Sequence, residues 1–191
     1  MKKYSILFFV FISFLFLFAS NYQGKVVAVK DGDTIEILVG KTIYTIRLNG
    51  IDCPEKSQSY GENAKKFTSS KCFGTYVKVI KKDVDKYGRI VGDVILSDGN
   101  ILNQELLKNG FAWHYKKYSS DIRLSQLENE ARKKKIGLWK ESSPTPPWEF
   151  RQWKKQTNSK YGQCIAYTKK GNRCKKNATK TGYCRQHNKI R

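Results

Sequence analysis

The residues best equipped for chemistry lie in one short run, Arg47-Leu48-Asn49-Gly50-Ile51-Asp52-Cys53-Pro54-Glu55. It sets a guanidinium, a glycine bend and two carboxylates around a proline. An arginine fork can bond two phosphate oxygens at once. A carboxylate can hold a hard cation or take a proton from water. Gly50 permits the bend, and Pro54 has a fixed φ and no N–H, so the Asp52–Glu55 segment is expected to be stiff. Two further runs carry the same residue types, Asp31-Gly32-Asp33-Thr34 upstream and Asp85-Lys86-Tyr87-Gly88-Arg89 downstream. Together they suit attack on a phosphate ester, where charge grows on the phosphoryl oxygens and positioned cations lower the barrier by binding it. Arg47 and Arg89 are the candidate phosphate ligands. Asp33 and Asp52 are candidate ligands in an all-oxygen site that suits calcium, and Glu55 is placed to orient or deprotonate the attacking water.

Each of these residues has a plainer reading. Asp33 could close a hairpin, Asp52 could cap a turn, Arg47 could pair with Glu36 along an edge strand, and Asp85 is expected to cap its own turn. Histidine chemistry is excluded as the engine, because only His114 and His187 exist.

The elements that must hold these groups are legible from periodicity. Alternation from Gly24 to Lys30, Ile35 to Val39 and Thr42 to Leu48 predicts three strands joined by tight turns. Residues 60–71 predict a short amphipathic helix, and Tyr76 to Ile80 and Ile90 to Leu96 two more strands. Helical spacing returns at 101–108, ended by Asn109-Gly110, and at about 120–135, where Leu124, Leu127 and Ala131 form one stripe. Five strands with a helix after the third and two helices following predict a β-barrel with helices, a five-stranded OB-type α+β fold with about three helices, over residues 21–140. Ser142-Ser143-Pro144-Thr145-Pro146-Pro147 reads as a linker, taken over 141–160.

By these motifs and their order the chain, over roughly residues 24–140, resembles the staphylococcal nuclease (thermonuclease) family. The resemblance implies an OB-fold barrel and calcium-dependent hydrolysis of DNA and RNA phosphodiesters. It matches Arg47, Glu55 and Arg89 to the family's catalytic trio, and Asp33 and Asp52 to its metal ligands, with the backbone carbonyl of Cys53 as a third. Cys53 stands where the founding nuclease has threonine, and only its carbonyl is expected to bind metal. Lys86 and Tyr87 match positions flanking the bound phosphate, and Tyr115 and Tyr118 loosely match base-stacking tyrosines. A disulfide between Cys53 and Cys72 is an open alternative. The competing function is a non-catalytic OB barrel that binds single strands by stacking and charge, but such a module has no need of Glu55 in an anion-binding groove.

The ends add delivery and grip. Lys2 and Lys3 precede an apolar run from Ile6 to Ala19, broken only by Ser13, which reads as a signal peptide over residues 1–20. The protein is therefore expected to be secreted or periplasmic, or membrane-anchored if the segment stays uncleaved. The chain has 191 residues and a net charge of +21, with 37 basic against 16 acidic residues, a balance that points to a polyanionic partner. DNA and RNA, single strands preferred, are the expected partners of a monomer. From Arg151 onward there is no acidic residue. Cys164, Cys174, Cys184 and His187 there form a candidate zinc set in a basic tail, residues 161–191, that has too little apolar content to build a core. One disulfide plus a free cysteine is the alternative.

Overall fold

A computed structural model of the chain describes residues 21–162 together with 166, 174–176, 178 and 184. The segment expected to be a signal peptide lies outside the described residues. Strands β1 (Asn21–Asp31), β2 (Thr34–Val39) and β3 (Thr42–Leu48) form an antiparallel meander, and β4 is the short Ile51–Asp52. After helix α1 (Gly61–Cys72) come β5 (Tyr76–Val84) and β6 (Ile90–Ile95), then α2 (Leu102–Lys108), β7 (Trp113–His114), α3 (Ile122–Lys133), a 3-10 turn at Gly137–Lys140, and α4 (Pro147–Tyr161). Five of the strands close into a barrel in the order β1-β2-β3-β6-β5.

Closure depends on one parallel pairing, in which Ile46, Arg47 and Leu48 of β3 lie opposite Ile90, Val91 and Gly92 of β6. Alternation then sends Val26, Ile35, Ile37, Ile46, Val77, Val79 and Val94 into the barrel, each almost wholly buried. Removing each such side chain from water stabilises the fold by roughly 1.5–3 kcal/mol. On α1 the buried residues Ala64, Thr68 and Cys72 repeat every four positions and face the core. Thr68 Oγ1 donates to Gly32 O at 2.5 Å and so ties the helix to the β1–β2 turn. Asp121 caps α3, its Oδ1 accepting from the N–H groups of Arg123 and Leu124. The expected stripe Leu124, Leu127 and Ala131 is buried, joined by Glu128, which accepts from Arg132 at 3.2 Å.

Three points go beyond those expectations. The 141–160 stretch contains α4, so the described residues hold four α-helices rather than about three. Prolines suggested a linker, but Pro147 sits at the first helical position, where its missing N–H costs nothing. The segment expected to be stiff begins in a strand, since β4 pairs with β7, Ile51 opposite His114 and Asp52 opposite Trp113. Cys53 and Cys72 are free buried thiols rather than a disulfide. Cys72 Sγ donates to Thr68 O, and both thiols pack in the core as small apolar side chains. No helix among the described residues is long and apolar enough to cross a membrane.

Candidate active site

Arg47, next to the last residue of β3, is mostly buried with 15% of its side chain exposed, and its guanidinium braces the loop that follows. Nη1 donates to Leu48 O at 3.0 Å and Ile51 O at 2.9 Å. Nη2 reaches Asp52 Oδ1 at 2.8 Å and Asp33 Oδ2 at 3.3 Å. Burial works against the arginine's charge, but the carboxylates of Asp33 and Asp52 outweigh it and hold the guanidinium's pKa above its ordinary value. The edge pairing with Glu36 does not form, because Glu36 meets Lys30 at 3.0 Å instead.

The two aspartates arrive from different elements. Asp33 sits in the β1–β2 turn, its Oδ1 accepting from Thr34 Oγ1 and its Oδ2 from the Cys53 N–H at 2.8 Å. Asp52 comes from β4 with only 1% of its surface exposed. Burial raises the Asp52 pKa, opposed by the hydrogen bond from Arg151 and the charge of Arg47. Asp31, at the open end of β1, is also pushed up, by partial loss of water and then by Asp33 and Glu55. The cluster is thus crowded with negative charge. Gly50 makes the turn into it with φ +70°, where a Cβ would strike Leu124 Cδ1 at 2.7 Å.

Glu55 stands at the rim, half-exposed. Its N–H donates to Gln58 Oε1 at 3.1 Å, and its carbonyl accepts from the Gln58 N–H at 2.8 Å. A Cβ at Gly61 would lie 2.0 Å from the Glu55 carbonyl oxygen, so only glycine lets α1 start this close to the loop.

The structure brings Arg47, Asp33, Asp52, Cys53 and Glu55 together, while Arg89 is engaged by its own turn. Arg89 precedes β6, whose Val91 pairs with Arg47, so it stands at the mouth of the neighbouring strand. Its Nε bonds Asp85 Oδ2 at 2.7 Å, and Asp85 Oδ1 accepts from the Tyr87 and Arg89 N–H groups, which is the expected self-capped turn. Those bonds to Arg89 and Tyr87 outweigh slight desolvation and lower the Asp85 pKa. Tyr87 is 72% exposed, with Lys86 and Arg89 over its ring. Tyr118 is exposed as well, edge-on to Tyr115 with ring centres 4.8 Å apart. Tyr115 and Lys116 border a groove of about 380 Å³ that also meets Trp113, Lys117, Arg132 and Trp148.

The donor set fits a hard divalent cation. Asp33 and Asp52 share one nitrogen of Arg47, so their carboxylates are neighbours, and the Cys53 peptide lies against Asp33. Among the described residues no three His, Cys, Asp or Glu side chains converge as a metal cage. In the tail, Cys164 and His187 lie outside the described residues, while Cys174 and Cys184 are buried with Sγ atoms 4.0 Å apart.

Three contributors escaped the sequence reading. Asn103, buried on α2, accepts from Val94 N–H and donates to Asn49 O at 2.9 Å, locking the turn after Arg47 to the barrel. Its only signal was a polar residue inside an apolar helical stripe. Trp148 lies parallel to Tyr115 at 5.2 Å. Arg151 bonds both Asp52 and Glu55, and nothing in a lysine-rich stretch distinguished it from its neighbours.

Residues 45–141 match the staphylococcal nuclease homologue family. An uncharacterized endonuclease of Escherichia coli is 42% identical over 145 residues, covering 73% of this chain and 95% of that protein. A micrococcal nuclease of Shigella flexneri is 32% identical over 150 residues, 73% of this chain and 86% of the relative. A staphylococcal-like nuclease of Arabidopsis thaliana is 42% identical over 123 residues, 64% of this chain but 37% of the longer plant protein.

Proposed function

The chain belongs to the staphylococcal nuclease homologue family, and from that premise we propose that it is an exported, calcium-dependent nuclease cleaving DNA and RNA with little sequence preference. The observation that carries this reading is the buried carboxylate pair Asp33 and Asp52 bridged by Arg47, with Glu55 at its open rim. A calcium ion on Asp33, Asp52 and the Cys53 carbonyl would supply Lewis-acid stabilisation of the charge that develops on phosphate oxygens. Hydrolysis adds a water oxygen to phosphorus and releases the bridging ester oxygen, which leaves as a hydroxyl by taking a proton from solvent water. Glu55 accepts the proton that the water loses. Arg47 keeps the two aspartates in place, and its remaining Nε–H is a donor for the phosphate. Arg89 supplies the second phosphate contact by leaving Asp85, a 2.7 Å bond at a partly exposed turn that costs little to exchange.

Substrate binding rests on charge and stacking. Lys86 and Tyr87 on one side, and Tyr115, Tyr118 and Lys116 on the other, offer cations beside aromatic faces for a single strand. The basic tail adds backbone grip without reading sequence. Zinc on Cys164, Cys174, Cys184 and His187 would fold it, a reading supported by the 4.0 Å between Cys174 and Cys184 Sγ. Two thiolates on one tetrahedral zinc, each about 2.3 Å from the metal, stand close to that distance apart.

The test is cleavage of single-stranded DNA by protein lacking residues 1–20, in calcium and then in EGTA, with Glu55→Gln beside the wild type. Calcium-dependent cutting that drops about 10²–10⁴-fold in Glu55→Gln, with binding retained, is the expected result. Tight binding without cutting in any divalent ion would replace this reading with the binding module.

A further inference from the structure

Helix α4 lies beyond the 45–141 family match, yet it reaches into the centre of the site. Arg151 sets Nη2 at 2.8 Å from Asp52 Oδ2 and Nη1 at 3.3 Å from Asp52 Oδ1 and 2.9 Å from Glu55 Oε1. One turn earlier, Trp148 covers a face of Tyr115, the rings parallel within 2°, and stands edge-on to Trp113 at 5.7 Å. Lys154 Nζ donates to Ser57 Oγ at 3.3 Å. The segment leading to α4 is fastened by Gln58 Nε2 to Thr145 O at 2.6 Å and by Ser59 Oγ to Glu141 Oε1. Among the described side chains of α4, Pro147 is buried and Trp148 and Phe150 partly so, whereas those from Arg151 to Gln156 are exposed.

The two contacts imitate the two things the site is built to take. A guanidinium on both oxygens of Asp52 and on Glu55 stands where a cation would gather the same carboxylates, so the two positive charges compete for one set of oxygens. An indole on Tyr115 occupies a face on which a base could stack. We propose that α4 is a detachable strap that holds the site shut through Arg151 and Trp148, and that it lifts when a divalent cation and a nucleic-acid strand replace them. This rests on the calcium-site reading given above. The lifted helix would present Arg151, Lys154 and Lys155 to the phosphates of the incoming strand, so the charge removed from the carboxylates is re-used on the substrate. The α4 contacts named above fall on β4, β7 and the loops beside them rather than on the five barrel strands, so opening there is local to that face. A strap shut about nine-tenths of the time weakens apparent cation binding about tenfold.

The test uses calcium alone, with no nucleic acid, titrated calorimetrically into the full-length chain and its Arg151→Ala, Arg151→Lys and Trp148→Ala variants. Hydrogen exchange of the α4 amides is followed in the wild type. Arg151→Ala is expected to bind calcium about tenfold more tightly, Trp148→Ala to move the same way, and Arg151→Lys to stay nearer the wild type. The α4 amides should lose protection as calcium saturates. Equal or weaker calcium binding by Arg151→Ala, or unchanged α4 protection in saturating calcium, would overturn the strap while leaving the nuclease reading intact. Absence of calcium binding by all four proteins would instead refute the calcium site, and the strap's trigger with it.

Discussion

Replacing Arg47 with methionine keeps the apolar stem and removes the guanidinium that joins Asp33, Asp52 and the Leu48 and Ile51 carbonyls. Breaking a buried ion pair from one side costs roughly 3–5 kcal/mol, because the partner charge stays behind. Arg151 still bonds Asp52, which places the expected loss at the lower end, about 3 kcal/mol. That is a large part of the roughly 5–15 kcal/mol that holds a typical domain together. The pH dependence follows from Asp52, whose pKa burial already raises and which loses an opposing cation in the variant. A carboxyl raised in the folded state is destabilising when ionised. Its penalty is complete above the folded pKa and fades as pH falls through that value toward the unfolded one, about 3.9. Urea unfolding at about pH 8 and about pH 5 should therefore find the stability gap between wild type and Arg47→Met narrower in acid. Adding Asp52→Asn to the variant should recover part of the loss at the higher pH. A gap that is constant or wider in acid, or no recovery in the double variant, would refute the claim that Arg47 acts by neutralising buried carboxylates.

Other outcomes test separate parts of the structure. Asn103→Ala should destabilise the protein by about 2–4 kcal/mol, since it strands the buried Val94 N–H and the Asn49 carbonyl together, and chemical denaturation would measure it. Native Cys53 and Cys72 should resist alkylation at neutral pH and react once unfolded. Burial pushes the Cys53 thiol well up and the Cys72 thiol to about 12, leaving almost no thiolate, and peptide mapping by mass spectrometry reads each site. Truncation after Tyr161 should leave cleavage of short oligonucleotides intact while weakening binding to long DNA at low salt and flattening its salt dependence. A collapse of dinucleotide cleavage in that truncation would make the tail part of the catalytic fold.

Much of the barrel was legible because its determinants are local. Alternation in 42–48 and 90–96, glycines at bends and the apolar stripe at about 120–135 each specify an element through nearest-neighbour physics. The residue types of the site were legible for the same reason, since Arg47, Asp52 and Glu55 lie within nine residues of one another. What joined them to Asp33 was the β2–β3 register, in which Thr34 faces Arg47, and no local pattern encodes a register across a sheet. The β4–β7 pairing was beyond reach because two-residue strands have no periodicity to detect. Arg151 is the plainest case. In sequence it is one cation in a basic stretch 96 residues after Glu55, and its role exists only because α4 folds back across the loop. The sequence alone determined which chemical groups are present and where the barrel strands and the first three helices run, but not β4, β7 or α4. The tertiary structure alone decided which of the many cations meet the carboxylates, because charge is a property of a residue but an ion pair is a property of two places in space.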